Sequence, residues 1–135
     1  MVRRLARLFP RMPILLHHYG YVGPRSEGTP GALQLVTAAA ACPNIFVKVS
    51  GMGNVAGPGD AYPFERLRWI TRSLVDAFGP SRLIWGSDWP VSSRWMSYEQ
   101  TLSLADDGMF TECEIASVTG LTMEKLLRGG NFGEA

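Results

Sequence analysis

The chain has 135 residues, 46% hydrophobic and 19% charged, with no low-complexity tract. That is enough apolar material for one globular unit over residues 1–135, and it excludes a disordered chain. Thirteen Lys and Arg nearly balance twelve Asp and Glu, so neither a nucleic-acid surface nor a membrane-adsorbing face is its main business, and a small-molecule or protein partner is expected instead.

Residues 2–9 read as a short helix with Leu5, Leu8 and Phe9 on one face, ending before Pro10. The basic run of Arg3, Arg4, Arg7 and Arg11 invites a targeting-peptide reading. Pro10, Arg11 and Pro13, however, cut its apolar residues into pieces shorter than the about seven that a secretory signal needs. No segment approaches the roughly 20 apolar residues that cross a bilayer. Residues 13–19 form an apolar run bounded by proline and glycine, as expected of a strand buried on both faces. A glycine- and proline-bearing loop follows over 20–31, then an alanine-rich helix over 32–41 that stops at Cys42-Pro43.

The pattern then repeats. Residues 44–50 (NIFVKVS) are β-branched and strand-like, residues 51–61 are a glycine-rich loop, and Pro63 suits the opening of a helix. That helix spaces Phe64, Leu67, Ile70, Leu74 and Phe78 by three and four, and Gly79-Pro80 ends it. A third strand over 82–85 (RLIW) runs into Gly86-Ser87-Asp88-Trp89-Pro90. A helix opens at Tyr98, and two short helices close the chain, one with the capping-box spacing Thr111 to Glu114 and one capped by Thr122. Strands alternating with helices mean βαβ units and a parallel sheet, so the fold class is α/β. Cys42 and Cys113 stand far apart without Cys-x-x-Cys spacing, which suggests neither a zinc knuckle nor disulfides and makes a reducing cytoplasm the default location.

In parallel α/β folds the loops after the strands form the active face, so Asp88 stands where catalysis is expected, as a general base or metal ligand. The alternative is a loop aspartate capping the turn at Pro90. His17-His18 ends the first strand. Side chains alternate along a strand, so one of the two faces the functional side, for metal or acid–base work, unless both are hydrogen-bonded structural histidines. Lys48 is a charge in an otherwise buried strand, either snorkelling from an edge or facing the interior toward a carboxylate or substrate. Trp85, Trp89, Trp95, Tyr19 and Tyr62 lie near strand ends, where most pack and one or two line a pocket. Arg25 and Arg94 sit in loops after strands and suit a substrate carboxylate; Arg82 reads as solvated.

The segments 13–20 (PILLHHYG), 44–51 (NIFVKVSG) and 82–90 (RLIWGSDWP) resemble the sixth, seventh and eighth strands of the amidohydrolase-related TIM-barrel family, and the tail through Gly130-Asn131 resembles its closing helix. The resemblance implies a partial (β/α)₈ barrel of about the last three to four units. It implies metal-dependent hydrolysis of a lactone or related C–O or C–N bond in a small carboxylated substrate, with metal-dependent decarboxylation as the alternative. Asp88 would then be the eighth-strand aspartate that ligates metal or activates water, and His18 the sixth-strand histidine. Trp89, Lys48, Arg25 and Arg94 would meet substrate. Lactonase-type relatives carry Asp-His where His17-His18 stands here. The family's first-strand His-x-His and fifth-strand histidine have no counterpart, and a barrel takes about 250 residues. The chain is therefore expected to be a fragment, or to assemble with a complementary N-terminal half or with itself. Alone it would be a non-catalytic half-barrel; complete, it would hold a divalent metal, zinc above all.

Overall fold

The computed structural model describes residues 1–24, 30–103 and 108–129. Its centre is a three-stranded sheet in the order β1 (Ile14–Leu16), β2 (Ile45–Val49), β3 (Leu83–Trp85), parallel throughout. Ile14 pairs with Ile45 and Val47 with Leu83, so each strand is displaced along its neighbour while all three end on one side. This is the order expected of consecutive right-handed βαβ crossovers.

The helices are α1 (Val2–Leu8), α2 (Pro30–Thr37), α3 (Met52–Val55), α4 (Arg68–Phe78), α5 (Tyr98–Ser103), α6 (Glu112–Ala116) and α7 (Thr122–Leu127). One face of the sheet is packed. Ile45, Val47, Val49 and Leu83 join Leu67, Ile70, Leu74 and Phe78 in the main core, all buried, as the three-and-four spacing requires. Side chains alternate along a strand, so Leu15, Phe46, Lys48 and Ile84 belong to the other face. Leu15 there is 41% exposed.

Several expectations need correction. The first strand is not buried on both faces and is only three residues long, because His18, Tyr19 and Tyr21 adopt positive φ (43°, 57° and 59°), outside strand geometry. On α1 the buried residue is Ala6, while Leu5, Leu8 and Phe9 are exposed, so the supposed apolar face does not pack. The loop after β2 contains α3, a single helical turn begun by Gly51 at φ 63°. Thr122 caps nothing: α6 runs through a π-turn at Ser117–Leu121 into α7, and Thr122 is helical at φ −62°, ψ −46°. The capping-box spacing holds in that the Thr111 N–H donates to Glu114 Oε2 at 2.8 Å. Arg82 is not solvated. Its Nε donates to the Phe78 carbonyl and its Nη1 to those of Ala40 and Cys42, at 2.9, 2.9 and 3.1 Å, with the guanidinium over the Phe78 ring.

Candidate active site

All three strands deliver a polar residue at their carboxyl ends. Past β1 the chain turns through His18, past β2 it continues into Ser50-Gly51, and past β3 it reaches Asp88. The His18 ring lies between the other two: Nδ1 is 2.8 Å from Ser50 Oγ, and Nε2 is 3.5 Å from Asp88 Oδ1. Asp88 Oδ2 accepts a hydrogen bond from Asn54 Nδ2 at 3.0 Å. Ser50 and His18 are buried, and the Asp88 side chain is 15% exposed, so the pair meets solvent on the carboxylate side.

Local conformation fixes this arrangement. His18 and Asp88 both take left-handed φ (43° and 56°), a conformation that costs a non-glycine residue about 1 kcal/mol or more and that clusters at functional sites. The ring occupies the volume a Gly51 side chain would fill, since a Cβ there would stand 2.6 Å from His18 Cγ. The Asp88 carbonyl accepts the Ser92 N–H at 3.0 Å, so the turn after Pro90 is held by the backbone of Asp88 while its carboxylate points to His18 and Asn54.

Burial holds His18 below its ordinary 6.5. The Asp88 carboxylate and a hydrogen bond to the Ser50 backbone oppose that shift, and the neighbouring charges of His17 and Lys48 reinforce it. A neutral imidazole beside a carboxylate can donate or accept at Nε2 and can ligate a metal. Two ligands of a tetrahedral zinc, each at about 2.1 Å, lie about 3.4 Å apart, so the 3.5 Å between Nε2 and Oδ1 suits a shared cation. Two donors are fewer than the three that catalytic zinc takes from protein, and among the described residues no group of three or more His, Cys, Asp or Glu is placed to hold an ion. The residues thus fit part of a metal site.

Of the other expected residues, Lys48 lies on the central strand rather than an edge. Its stem reaches the strand end, where a Cβ on Gly86 would stand 2.6 Å from Lys48 Cε. Trp89 is 46% exposed and packs edge-to-face on Tyr98, ring centroids 5.3 Å apart. Arg94 is exposed at the end of the helical turn Val91–Arg94, and no contact among the described residues ties it to the pair. Arg25 and the Gly130-Asn131 tail lie outside the described residues. His17 is exposed, yet its ring lies 3.5 Å from that of His18, because the positive φ of His18 breaks the strand alternation that would have separated them. Tyr19 is fully buried, its hydroxyl bonded by Thr71 at 3.3 Å, and so packs rather than lining a pocket. Ser50, Gly51 and Asn54 carry no role in the sequence reading. Ser50-Gly51 directly follows an apolar strand and was open to notice, whereas Asn54 gives no signal inside a glycine-rich loop.

The family model described as Amidohydrolase matches residues 1–125. The chain is similar to an L-fucono-1,5-lactonase of Burkholderia ambifaria, 42% identical over 89 residues that are 64% of this chain and 29% of that protein. It is also similar to a 4-sulfomuconolactone hydrolase of Hydrogenophaga intermedia, 28% identical over 82% of this chain and 34% of that one. Among solved structures, an amidohydrolase from Burkholderia multivorans with bound zinc superposes with a TM-score of 0.69 at 29% identity, over 92% of this chain and 46% of that chain. The chain thus spans about a third of the length of these curated relatives and just under half of that solved structure. The partial-barrel expectation agrees with this.

Proposed function

Because this chain belongs to the amidohydrolase family, we propose that its His18–Asp88 pair is the sixth- and eighth-strand part of a lactone-hydrolysing site. The observation that carries the reading is the convergence of His18 Nε2 and Asp88 Oδ1 to 3.5 Å at the carboxyl edge of a parallel sheet. Two of the relatives described above are named as lactone hydrolases, which supports a small sugar-acid lactone or muconolactone as substrate.

In this reading Asp88, with Oδ2 anchored by Asn54, keeps Oδ1 available to take a proton from the attacking water. His18, kept neutral by burial, donates Nε2–H to the oxyanion that forms at the lactone carbonyl or lends that nitrogen to a metal. Lys48 supplies positive charge at the strand end, and Trp89 with Tyr98 forms an exposed apolar wall for the ring of the substrate. A divalent ion, if held by His18 and Asp88, would polarise the carbonyl and acidify water. Further donors are needed for such a site, from a complementary N-terminal half or a second copy, and the chain alone is expected to show negligible turnover.

The test joins this chain behind a family N-terminal half that bears the His-x-His strand and measures hydrolysis of aldonolactones and muconolactones. Asp88→Asn should lower kcat by about 10²-fold or more with KM little changed. Undiminished turnover by Asp88→Asn would refute the assignment.

A further inference from the structure

We propose that Trp95 is a positioning residue for Asp88: its indole seats Gly53 of α3 and so fixes the neighbouring Asn54, which orients the Asp88 carboxylate. The inference rests on the reading of Asp88 given above. That carboxylate needs an outside hold. Its Oδ1 stands 3.5 Å from His18 Nε2, long for a hydrogen bond, whereas Oδ2 accepts the Asn54 Nδ2–H at 3.0 Å, so the plane of the carboxylate follows Asn54. Asn54 in turn sits on α3, a helix of four residues, and so short a helix takes its place from packing rather than from its own hydrogen bonds.

Trp95 supplies that packing. Gly53 is buried, and a Cβ built on it would lie 2.6 Å from Trp95 Cε2 and overlap Cδ2 and Cε3, so the six-membered ring of the indole covers the Gly53 backbone with no room for a side chain. The turn that carries Trp95 also carries Asp88. The Asp88 carbonyl accepts the Ser92 N–H at 3.0 Å and the Ser92 carbonyl accepts the Trp95 N–H at 2.9 Å, with Ser92 buried, so residues 88–95 form one hydrogen-bonded unit. This unit meets α3 at two adjacent residues, Trp95 on Gly53 and Asp88 on Asn54. Two contacts fix a rotation that one leaves free. With Asn54 alone, the carboxylate would turn about its Cβ–Cγ bond and carry the amide and its helical turn along; with the indole seated on Gly53, α3 does not follow.

Gly53→Ala is the direct probe, because Gly53 is helical and has no positive φ, so the added methyl meets the ring and leaves the backbone unstrained. The first measurement is nitrogen-15 NMR of the Asn54 side-chain amide in the 135-residue chain at neutral pH. Asn54→Ser identifies those resonances by their loss, and Asp88→Ala gives their position when the acceptor is gone. Gly53→Ala should move them toward that position, and in the joined protein described above it should lower kcat about 10- to 100-fold with KM little changed. Gly53→Ala/Trp95→Leu, in which methyl and leucine together refill the contact, should restore both. Trp95→Ala, which opens the contact without crowding it, should reproduce both losses and serves in place of Gly53→Ala should that variant not fold. An Asn54 amide unmoved by Gly53→Ala and Trp95→Ala, an unchanged kcat in those variants, or a double variant no better than Gly53→Ala would each overturn the inference. Undiminished turnover by Asp88→Asn would instead sink the lactone reading and leave the amide shifts standing.

Discussion

The His18 ring and the missing side chain of Gly51 are two halves of one fit: the ring stands where a Cβ would be, with Cγ only 2.6 Å from that position. Gly51 also has φ 63°, so alanine there meets both a clash and a left-handed backbone. Gly51→Ala should cost about 2 kcal/mol in chemical denaturation and displace His18 from Ser50, seen as a shift of the His18 ring resonances. Unchanged stability and resonances would contradict this fit.

A side chain at Gly86 meets the stem of Lys48 and the Cβ of Ser50. A flexible stem yields readily, so Gly86→Val should move Lys48 and perturb Asp88 while costing about 1 kcal/mol or less in stability. A crystal structure of the variant with Lys48 and Asp88 in place would count against this.

Arg72 Nη1 donates to Glu114 Oε2 at 2.6 Å, and the guanidinium holds that carboxyl below its usual range. A depressed carboxyl contributes stability that is fully present above its unfolded value, near 4.5, and is lost as pH falls through the folded value. Arg72 is part-exposed, which weakens the pair, so Glu114→Gln should lose about 1 kcal/mol at neutral pH. The gap between variant and wild type should close in acid, as followed by urea unfolding across pH.

His18 also loses stability in acid, in a higher pH window. Its folded value lies below 6.5, so the unfolded chain takes up the proton first and stability falls as pH drops from 6.5 through the folded value. Above that window the contribution is flat. His18→Gln should lack this acid-side slope in thermal melts, and an identical slope in the variant would place its origin elsewhere.

Legibility in the sequence followed the range of the interactions. Ile70, Leu74 and Phe78 declared a buried helix face by spacing alone, although the helix opens at Arg68 rather than Pro63 because Phe64, buried too, is left-handed at φ 55°; the three apolar runs gave a parallel sheet in chain order, because burial periodicity is local. Asp88 and His18 were visible from their places after strands. The partners that orient them were not: Asn54 meets Asp88 across 34 positions and Ser50 meets His18 across 32, contacts made only by the crossover. The apolar look of residues 13–19 concealed a turn, because His18 and Tyr19 take positive φ, which residue type does not signal. Arg82 misled for a related reason, since its three carbonyl partners lie at the ends of two separate helical segments.

That arginine precedes β3, at the end of the sheet away from Asp88. One cation there gathers carbonyls from the segments leading into β2 and β3, and its removal, as in Arg82→Met, should cost about 3 kcal/mol through unpaired carbonyls. The Arg82 anchor and the candidate site thus occupy opposite poles of the same strands. Substitutions can accumulate on the rim that bears His18 and Asp88 while the far pole keeps the scaffold intact, and stabilising changes made at that pole should leave the His18–Asp88 geometry unchanged.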